Sequence, residues 1–177
     1  DRIITNIPTI STAVPMREIS RDVRRDEHVV PAQVIGCTPE YFSINRLPVA
    51  RGRPLAASDL RGLENVTVLA HDVAERLFPI QDPLGRAIQI GTKFYVVVGV
   101  AQDRTAAAAI GGSFSARQYN RDVYIPLNTF QKRIGDRVIT VRGGTFQNET
   151  IELNQITAVV DDVAAVDASA DIIRALL

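Results

Sequence analysis

Residues 65–101, NVTVLAHDVAERLFPIQDPLGRAIQIGTKFYVVVGVA, contain the signals that decide the fold. The stretch starts with the β-branched run 66–70, which predicts a strand. In residues 71–78 the apolar side chains recur at helical spacing, so an amphipathic helix is expected directly after the strand. Pro79 ends this helix, because proline lacks a backbone donor and cannot continue the helical turn.

The second half of the same stretch predicts a turn and a β-hairpin. The tetrapeptide DPLG at 82–85 has proline and glycine where a tight turn needs them. Residues 86–90 alternate between apolar and polar, and Gly91 begins a short reversal into residues 94–100. Because 94–100 is almost continuously β-branched, we expect this strand to be buried on both faces.

Short motifs of this stretch and of the segment before it follow one another in a fixed order. They are the pair Gly52 and Arg53, Asp59, V-x-V-L at 66–69, V-A-x-x-L-F at 73–78, DPLG, I-x-I at 88–90 and V-V-G-V at 97–100. In this order the chain resembles the MacB-like extracytoplasmic core domain of FtsX-type ABC transporter permeases. Ala70 departs from the family pattern, which usually has glycine between the strand and the helix. Most of these motifs are turn and core residues, so the resemblance bears on fold and assembly more than on substrate.

The resemblance implies an α+β fold with two subdomains. Residues 1–37 and 149–177, the two ends of the chain, would form a mixed βαβ-type, Porter-like subdomain, and residues 38–148 would form a β-rich, Sabre-like insertion. Helix and strand signals at both ends, with short strands between them, agree with this plan. We therefore expect the two ends to fold together, with the strand 156–160 and the helix 172–177 packed near elements that precede residue 38.

The resemblance also implies a function. The domain would be non-catalytic and extracytoplasmic, held in the periplasm as part of a cell-membrane protein, and it would couple ATP-driven transmembrane motion to a periplasmic cargo or partner. Its partners would be the permease's own transmembrane helices and a nucleotide-binding ATPase, fused or separate. A periplasmic adaptor, a lipoprotein and a cell-wall hydrolase are further candidate partners, and a dimer is expected only in the full-length permease.

Composition limits other functions. The 20 acidic residues balance the 20 basic residues, which removes the electrostatic reason to expect a nucleic-acid partner. No apolar run approaches the roughly 20 residues that span a bilayer. Since the chain begins at Asp1 rather than at methionine, we expect a piece of a longer protein. The single cysteine, Cys37, excludes an internal disulfide and is expected to be a small buried apolar residue.

The sequence carries no motif for catalysis, a cofactor or a metal. The two histidines, His28 and His71, stand in unrelated contexts, without a G-x-S-x-G elbow, an H-x-x-x-H pair or a C-x-x-C pair. The glycines are scattered and no P-loop motif occurs, so ATP hydrolysis is not expected in this chain. We therefore predict no catalytic residue, no cofactor and no metal site, and we expect Arg53 to be structural rather than a ligand for an anion.

Segments outside the central stretch predict further short elements. Residues 9–19 and 29–35 are extended and are joined by the charged connection 20–28. Pro15 and Pro31 place these two strands at an edge or make them irregular. The other expected elements are the tail of a helix at 1–6, a short helix capped by the Thr38 hydroxyl, a capped turn at 57–60, a strand at 123–125, a helix at 129–134, strands at 138–142 and 151–160, and a helix at 168–177.

Residues 103–122 have no periodicity and predict a long loop. Loops of this length in compact domains are usually functional or mobile, so this one is the candidate partner-contact element. The contacts would come from Phe114, Arg117, Tyr119 and Arg121, since aromatic residues and arginine contribute most of the binding energy at interfaces. A variable surface excursion without function is an equal alternative.

Two other functional classes stay open. One is an autonomous periplasmic binding module for a small molecule or peptide, whose site would be a cleft between the subdomains. The other is an enzyme whose site no motif reveals. Apolar spans of about 20 residues on both sides of this chain would favour the permease domain over the binding module.

Overall fold

The computed structural model describes residues 10–103, 119–135, 137–142, 145–150 and 155–160. Strands dominate this part of the chain, and short helices lie between them. The strands are β1 (Ile10–Arg25), β2 (His28–Cys37), β3 (Val49–Gly52), β4 (Val66–Leu69), β5 (Ala87–Ile90), β6 (Lys93–Ala101), β7 (Asp122–Pro126), β8 (Arg137–Arg142), β9 (Thr145–Thr150) and β10 (Gln155–Val160). The helices are α1 (Glu40–Ile44), α2 (Ala57–Arg61), α3 (His71–Leu77) and α4 (Leu127–Arg133), and a 3-10 helix, Tyr119–Arg121, precedes β7.

Eight of the strands form one mixed sheet that closes on itself. The order is β10-β1-β2-β7-β4-β6-β3, and β5 pairs with both β1 and β6. The strands β1, β2, β7, β4, β6 and β5 therefore form a ring of hydrogen-bonded neighbours, with β10 and β3 attached outside it. The pairs β2/β7 and β4/β6 are parallel, and the other pairs of the sheet are antiparallel. Closure protects the ring strands from pairing with other chains.

Side chains of the ring strands point alternately to the inside and the outside of the ring, as pleated strands require. The inside holds apolar residues from all six ring strands, packed against α3 and against Phe130 of α4. On the outside, α1 covers part of the ring with Tyr41 and Phe42. Their ring centroids lie 5.9 and 5.2 Å from that of Tyr124 on β7. The fold thus has two apolar layers, one on each face of the sheet.

The strand, helix, turn and hairpin predicted from residues 65–101 are confirmed as β4, α3, the DPLG turn and the pair β5/β6. The expectation that the last strand is buried on both faces is wrong for its first half. Phe94 is 62% exposed and Val96 is 42% exposed. The reason is that Tyr95 and Val97 fill the ring interior, whereas Phe94 and Val96 point outward beyond the part that α1 covers.

The charged segment 20–28 is strand rather than connection, so that expectation is also wrong. β1 continues to Arg25, and β2 begins at His28 after a two-residue turn that contains Asp26 at φ 50°. Val23 is fully buried inside the ring, while Asp22 and Arg24 are exposed on the outer face. The strand therefore accommodates the charges because alternate positions face solvent.

The two prolines lie where their strands have only one paired neighbour. Pro15 precedes Met16, the first residue of β1 that pairs with β2, and Pro31 precedes Gln33, the first residue of β2 that pairs with β7. Both strands lie inside the sheet, but each proline occupies a locally open position. This is where a residue without a backbone N–H is tolerated.

The short elements differ from expectation mainly at their ends. The hydroxyl cap predicted at Thr38 is wrong: Pro39 is the N-cap of α1 and no side chain caps it, while the Tyr41 N–H donates to the Thr38 carbonyl at 3.1 Å. The helix α4 starts at Leu127, directly after Pro126, rather than at residue 129. The strand β9 was not expected; it pairs with β8 across residues 143–144.

Strands from the two ends of the chain lie side by side, as expected. β10 pairs antiparallel with β1, and Ile10 lies opposite Val160. The helices expected at 1–6 and 168–177 lie outside the described residues. The ring combines β1 and β2 with four strands that follow residue 38, and the division into Porter-like and Sabre-like subdomains stays a prediction. The mixed, sheet-rich α/β architecture is as the sequence indicates.

Candidate functional site

The candidate site is the base of the connection between β6 and β7, where residues 103 and 119–122 meet the start of α3. The Asn120 Nδ2 donates a hydrogen bond to Asp103 Oδ1 at 2.7 Å, which holds the two ends of the connection together. The Ala70 N–H donates to the Asp122 carbonyl at 2.9 Å, which ties the base to α3. We refer to this region as the connection base.

The structure places two of the four predicted contact residues at the connection base. Tyr119 and Arg121 are the first and last residues of the 3-10 helix, which packs beside α3, and the Arg121 side chain is exposed. Phe114 and Arg117 lie outside the described residues, as does the rest of the predicted loop between 103 and 119. The contact role of all four residues stays a prediction.

The connection base and the paired residues Ile10 and Val160 lie at opposite ends of the sheet. β7 starts at Asp122, opposite Gln33, and runs parallel to β2, whose last residue, Cys37, lies opposite Met16. From Met16, β1 extends away from the ring to Ile10. At about 3.3 Å per residue, this register separates Ile10 from Asp122 by roughly 30 Å along the strands.

Four of the family motifs meet in one place: the pair Gly52 and Arg53, Asp59, DPLG and V-V-G-V. The Arg53 guanidinium donates two hydrogen bonds to Asp59, at 2.7 and 3.0 Å, and the Asp59 carboxylate also accepts from the Ala56 N–H at 2.8 Å. The Arg53 N–H donates to the Val98 carbonyl at 2.9 Å, and the Gly85 N–H donates to the Val97 carbonyl at 2.8 Å. Arg53 is therefore structural, and we refer to these contacts as the signature node.

Gly52 is a tightly packed position of the signature node. Its φ of +75° is in the left-handed region, and a Cβ there would run into the Val98 carbonyl and lie 2.8 Å from a Leu84 methyl. Because Leu84 belongs to the DPLG turn, the close approach of Gly52 to Leu84 and Val98 packs the turn against β3 and β6. Only glycine allows both the backbone angle and the contact.

The stability that Asp59 contributes to the signature node depends on pH. It is buried, and its hydrogen bonds from Arg53 hold the pKa of its carboxyl below the usual range, assisted by the Ala56 N–H. Because the folded-state pKa is lower than that of the unfolded chain, the stabilisation is present above the unfolded pKa of about 4 and is lost as pH falls through the folded-state pKa.

Asp59→Asn should lower the free energy of unfolding by about 1.5–3 kcal/mol at neutral pH, the range for hydrogen bonds to charged groups. The difference from the unchanged protein should shrink below about pH 4. Urea denaturation at neutral and acidic pH measures both effects. Asp82→Asn is the matched control: its 2.6 Å ion pair with Arg51 is exposed on both sides, so the loss should be under about 1 kcal/mol. Equal losses would contradict the assignment of the node to Arg53 and Asp59.

Cys37 lies in the outer apolar layer, as expected. Its side chain is fully buried, and burial raises the pKa of the thiol, with Asp122 and Glu40 adding to the shift. Burial likewise raises the pKa of Tyr124, whose hydroxyl donates to Asp122 Oδ2 at 3.2 Å. A protonated, inaccessible thiol is a poor nucleophile, so Cys37 acts here as a packing residue.

The described part of the chain also contains an open surface groove of about 650 Å³, lined among others by Arg51, Ile80 and Asp82. Ile80 is 96% exposed, and the Arg51–Asp82 ion pair lies in the wall. Binding sites for small molecules usually bury most of the ligand surface. An open groove does not, so it gives no support to an autonomous binding module. In the described ranges, no helix is long and apolar enough to cross a membrane.

Comparison with known proteins identifies the family. The family model of the MacB-like periplasmic core domain matches residues 1–176. Macrolide export ATP-binding/permease proteins MacB are similar: that of Rhodospirillum rubrum is 30% identical over 88% of this chain, and that of Azoarcus sp. is 25% identical over 99%. That of Hahella chejuensis is 30% identical over 61%. The chain spans only 21%, 24% and 17% of the lengths of these relatives, respectively.

Solved structures show the same fold. The periplasmic region of MacB from Actinobacillus actinomycetemcomitans superposes with a TM-score of 0.72 at 20% identity, covering 99% of this chain and 71% of that one. The extracellular domain of the noncanonic ABC-type transporter YknZ from Gram-positive bacteria gives a TM-score of 0.69 at 18% identity, covering 96% and 76%. With the family model matched along its whole length, this chain belongs to the MacB-like periplasmic core domain family.

Proposed function

We propose that this chain is the periplasmic domain of a MacB-like ABC transporter permease, and that it couples ATP-driven movement of the membrane helices to a periplasmic cargo or partner. In this proposal the domain performs no catalytic step, and a nucleotide-binding ATPase in the same transporter hydrolyses ATP. The names of the relatives, which are ATP-binding/permease proteins, support this arrangement.

The observation that carries the proposal is the position of the paired residues Ile10 and Val160 relative to the connection base. Ile10 and Val160 lie opposite one another at one end of the sheet, and we propose that movement of the membrane helices reaches the domain at this end. The connection base lies roughly 30 Å away, at the other end of the strands. A movement applied at the paired ends would therefore reach the connection through continuous strands.

Transmission of movement needs a stiff body, and two features supply stiffness. The ring of six strands is hydrogen-bonded all the way round. The signature node then fixes the DPLG turn, β3 and α2 against β6 through Gly52, Arg53 and Asp59. Packed interiors transmit displacement because they have low compressibility.

The partner is the open part of the proposal. A periplasmic adaptor, a lipoprotein and a cell-wall hydrolase are the candidate partners. We propose that the partner contact is made by Phe114, Arg117, Tyr119 and Arg121. We also propose that the protein forms a dimer only as the full-length permease.

Removal of residues 106–113 tests the contact. We expect the melting temperature of the domain to stay nearly unchanged, since the connection base is held by Asp103, Asn120 and Ala70. In the full-length transporter, export or partner binding should fall by about tenfold or more, because the shortened connection would no longer place Phe114 and Arg117 where the partner contact needs them, and losing an interface hot spot costs about 1.4–2 kcal/mol or more.

Point variants make the test specific. Arg121→Ala should weaken partner binding, whereas Arg61→Ala should leave it unchanged. Both side chains are exposed, but Arg61 belongs to α2, where the Leu60 carbonyl accepts a hydrogen bond from Asn128, beyond the end of β7 opposite to Asp122. A large drop in melting temperature on the deletion would show that the segment is packed structure. Unchanged export would show that it is a surface excursion.

A further inference from the structure

Three side chains that can bind a metal ion meet at the connection base. They are His71, Asp72 and Asp103, and one ligand atom from each lies within 4.8 Å of the others. His71 follows β4 by two residues and Asp103 follows β6 by two. Because β4 and β6 are neighbouring parallel strands, their carboxyl ends lie at the same edge of the sheet, which brings these distant residues together.

Two carboxylates lie beside the His71 imidazole. Its Nδ1 lies 3.6 Å from Asp72 Oδ1, and its Nε2 lies 3.6 Å from Glu75 Oε1. A neutral imidazole carries a proton on only one nitrogen, so one nitrogen turns a lone pair towards a carboxylate. Both separations exceed a hydrogen bond. A cation between the imidazole nitrogen and the carboxylate oxygen would offset the repulsion between the nitrogen lone pair and the carboxylate.

We propose that His71, Asp72 and Asp103 form a binding site for a divalent transition-metal ion of the zinc class. In a tetrahedral zinc site with bonds of about 2.0–2.1 Å, two ligand atoms are about 3.4 Å apart. The separation between His71 Nδ1 and Asp72 Oδ1, 3.6 Å, is close to this value. Asp103, whose ligand atom lies within 4.8 Å of the other two, would complete the set by moving closer on binding, and a water molecule would take the fourth position.

The groups around these three ligands are those that support metal sites elsewhere. With Nδ1 on the metal, His71 Nε2–H faces Glu75 Oε1, the carboxylate partner that orients a ligating histidine. The carboxylate of Asp103 is itself held by a hydrogen bond from Asn120 Nδ2. An imidazole ligand favours zinc, nickel or copper over magnesium or calcium. His71 and Asp72 are 36% and 41% exposed at the side chain, so an ion can reach them.

This site departs from the sequence expectation of no metal. Spacing rules find ligands that lie on one helix or one loop, whereas this set joins a pair at the start of α3 to a residue after β6. A bound ion would tie the end of β6 to α3, next to the 3-10 helix that carries Tyr119 and Arg121. The inference stands independently of the proposed function, because it concerns binding alone.

The test is titration of the chelator-treated 177-residue chain with Co²⁺, followed by visible absorption, and with Zn²⁺, followed by calorimetry. We expect one ion per chain and Co²⁺ bands typical of tetrahedral coordination. His71→Ala should abolish binding and His28→Ala should not, which makes the two histidines of the chain a matched pair. Glu75→Gln should weaken binding by about 10- to 100-fold, as loss of such an orienting partner does.

Asp103→Asn covers the case in which His71→Ala affects folding, since Asp103 is exposed and its replacement is isosteric. It should also remove most of the binding while leaving the circular dichroism spectrum unchanged. Binding that survives both variants, or that is lost with His28→Ala, would overturn the assignment. So would absence of saturable Zn²⁺ binding, or equal binding of Mg²⁺ and Ca²⁺, which would indicate carboxylates acting without the imidazole.

Discussion

Gly52→Ala is expected to lower the free energy of unfolding by about 3 kcal/mol or more, or to prevent folding altogether. Two costs add at this position. A left-handed backbone angle costs a residue with a side chain about 1–2 kcal/mol, and the new methyl group would overlap the Val98 carbonyl, which is backbone of β6 and cannot move independently. Urea denaturation of the variant and the unchanged protein measures the loss.

Gly85→Ala is the control that separates these two costs. Gly85 has nearly the same φ, +73°, but a Cβ there would have no atom within 4 Å. Its substitution should therefore cost only the backbone term, about 1–2 kcal/mol. Similar losses at the two positions would show that the close approach of Gly52 to β6 does not stabilise the signature node.

Phe42→Ala is expected to have the second large effect, a loss of about 3–5 kcal/mol, as for other buried phenylalanines. Phe42 is 6% exposed, and its ring centroid lies 5.2 Å from that of Tyr124 and 6.5 Å from that of Tyr41. The truncation leaves a cavity under α1 that neighbouring strands cannot fill. Chemical denaturation measures this loss in the free energy of unfolding.

Phe94→Ala is the matched control, because the same change is made on the same outer face of the ring. Phe94 is 62% exposed, so its removal should change stability by no more than about 0.5 kcal/mol. A cost close to that of Phe42→Ala would contradict the exposure of Phe94 and would mean that the outer face near β5 is covered in solution.

The central stretch could be read from sequence because its signals are local. The helical spacing of Val73, Ala74 and Leu77, the proline at 79 and the DPLG turn each act within a few residues, and the structure follows them. Burial was less predictable. Whether Phe94 is covered depends on where α1 lies over the sheet, and α1 is distant in sequence.

Closure of the ring could not be predicted for the same reason. It depends on the pairing of Val23 and Arg24 in β1 with Ile90 and Gln89 in β5. Nothing local to either strand specifies that partner. The charged residues around Val23 even suggested a connection, since a pattern of alternating charges is ambiguous until the buried face is known.

The family could be recognised because its motifs are ordered turn and core residues, and the match along the chain confirms it. Only part of the connection base could be predicted from the sequence. The absence of periodicity after Asp103 indicated a long connection, but the hydrogen bond of Asp103 with Asn120 and its proximity to the start of α3 depend on the parallel pairing of β4 and β6. Such contacts have no signature in a single sequence.

The most direct test of the proposed coupling measures ATP hydrolysis and export together in the full-length transporter that lacks residues 106–113. If the domain couples movement to a partner, the ATPase should continue at close to its normal rate while export falls by about tenfold or more. Export that continues in proportion to ATP hydrolysis would contradict the coupling role. Loss of both activities with the domain still folded would contradict it as well.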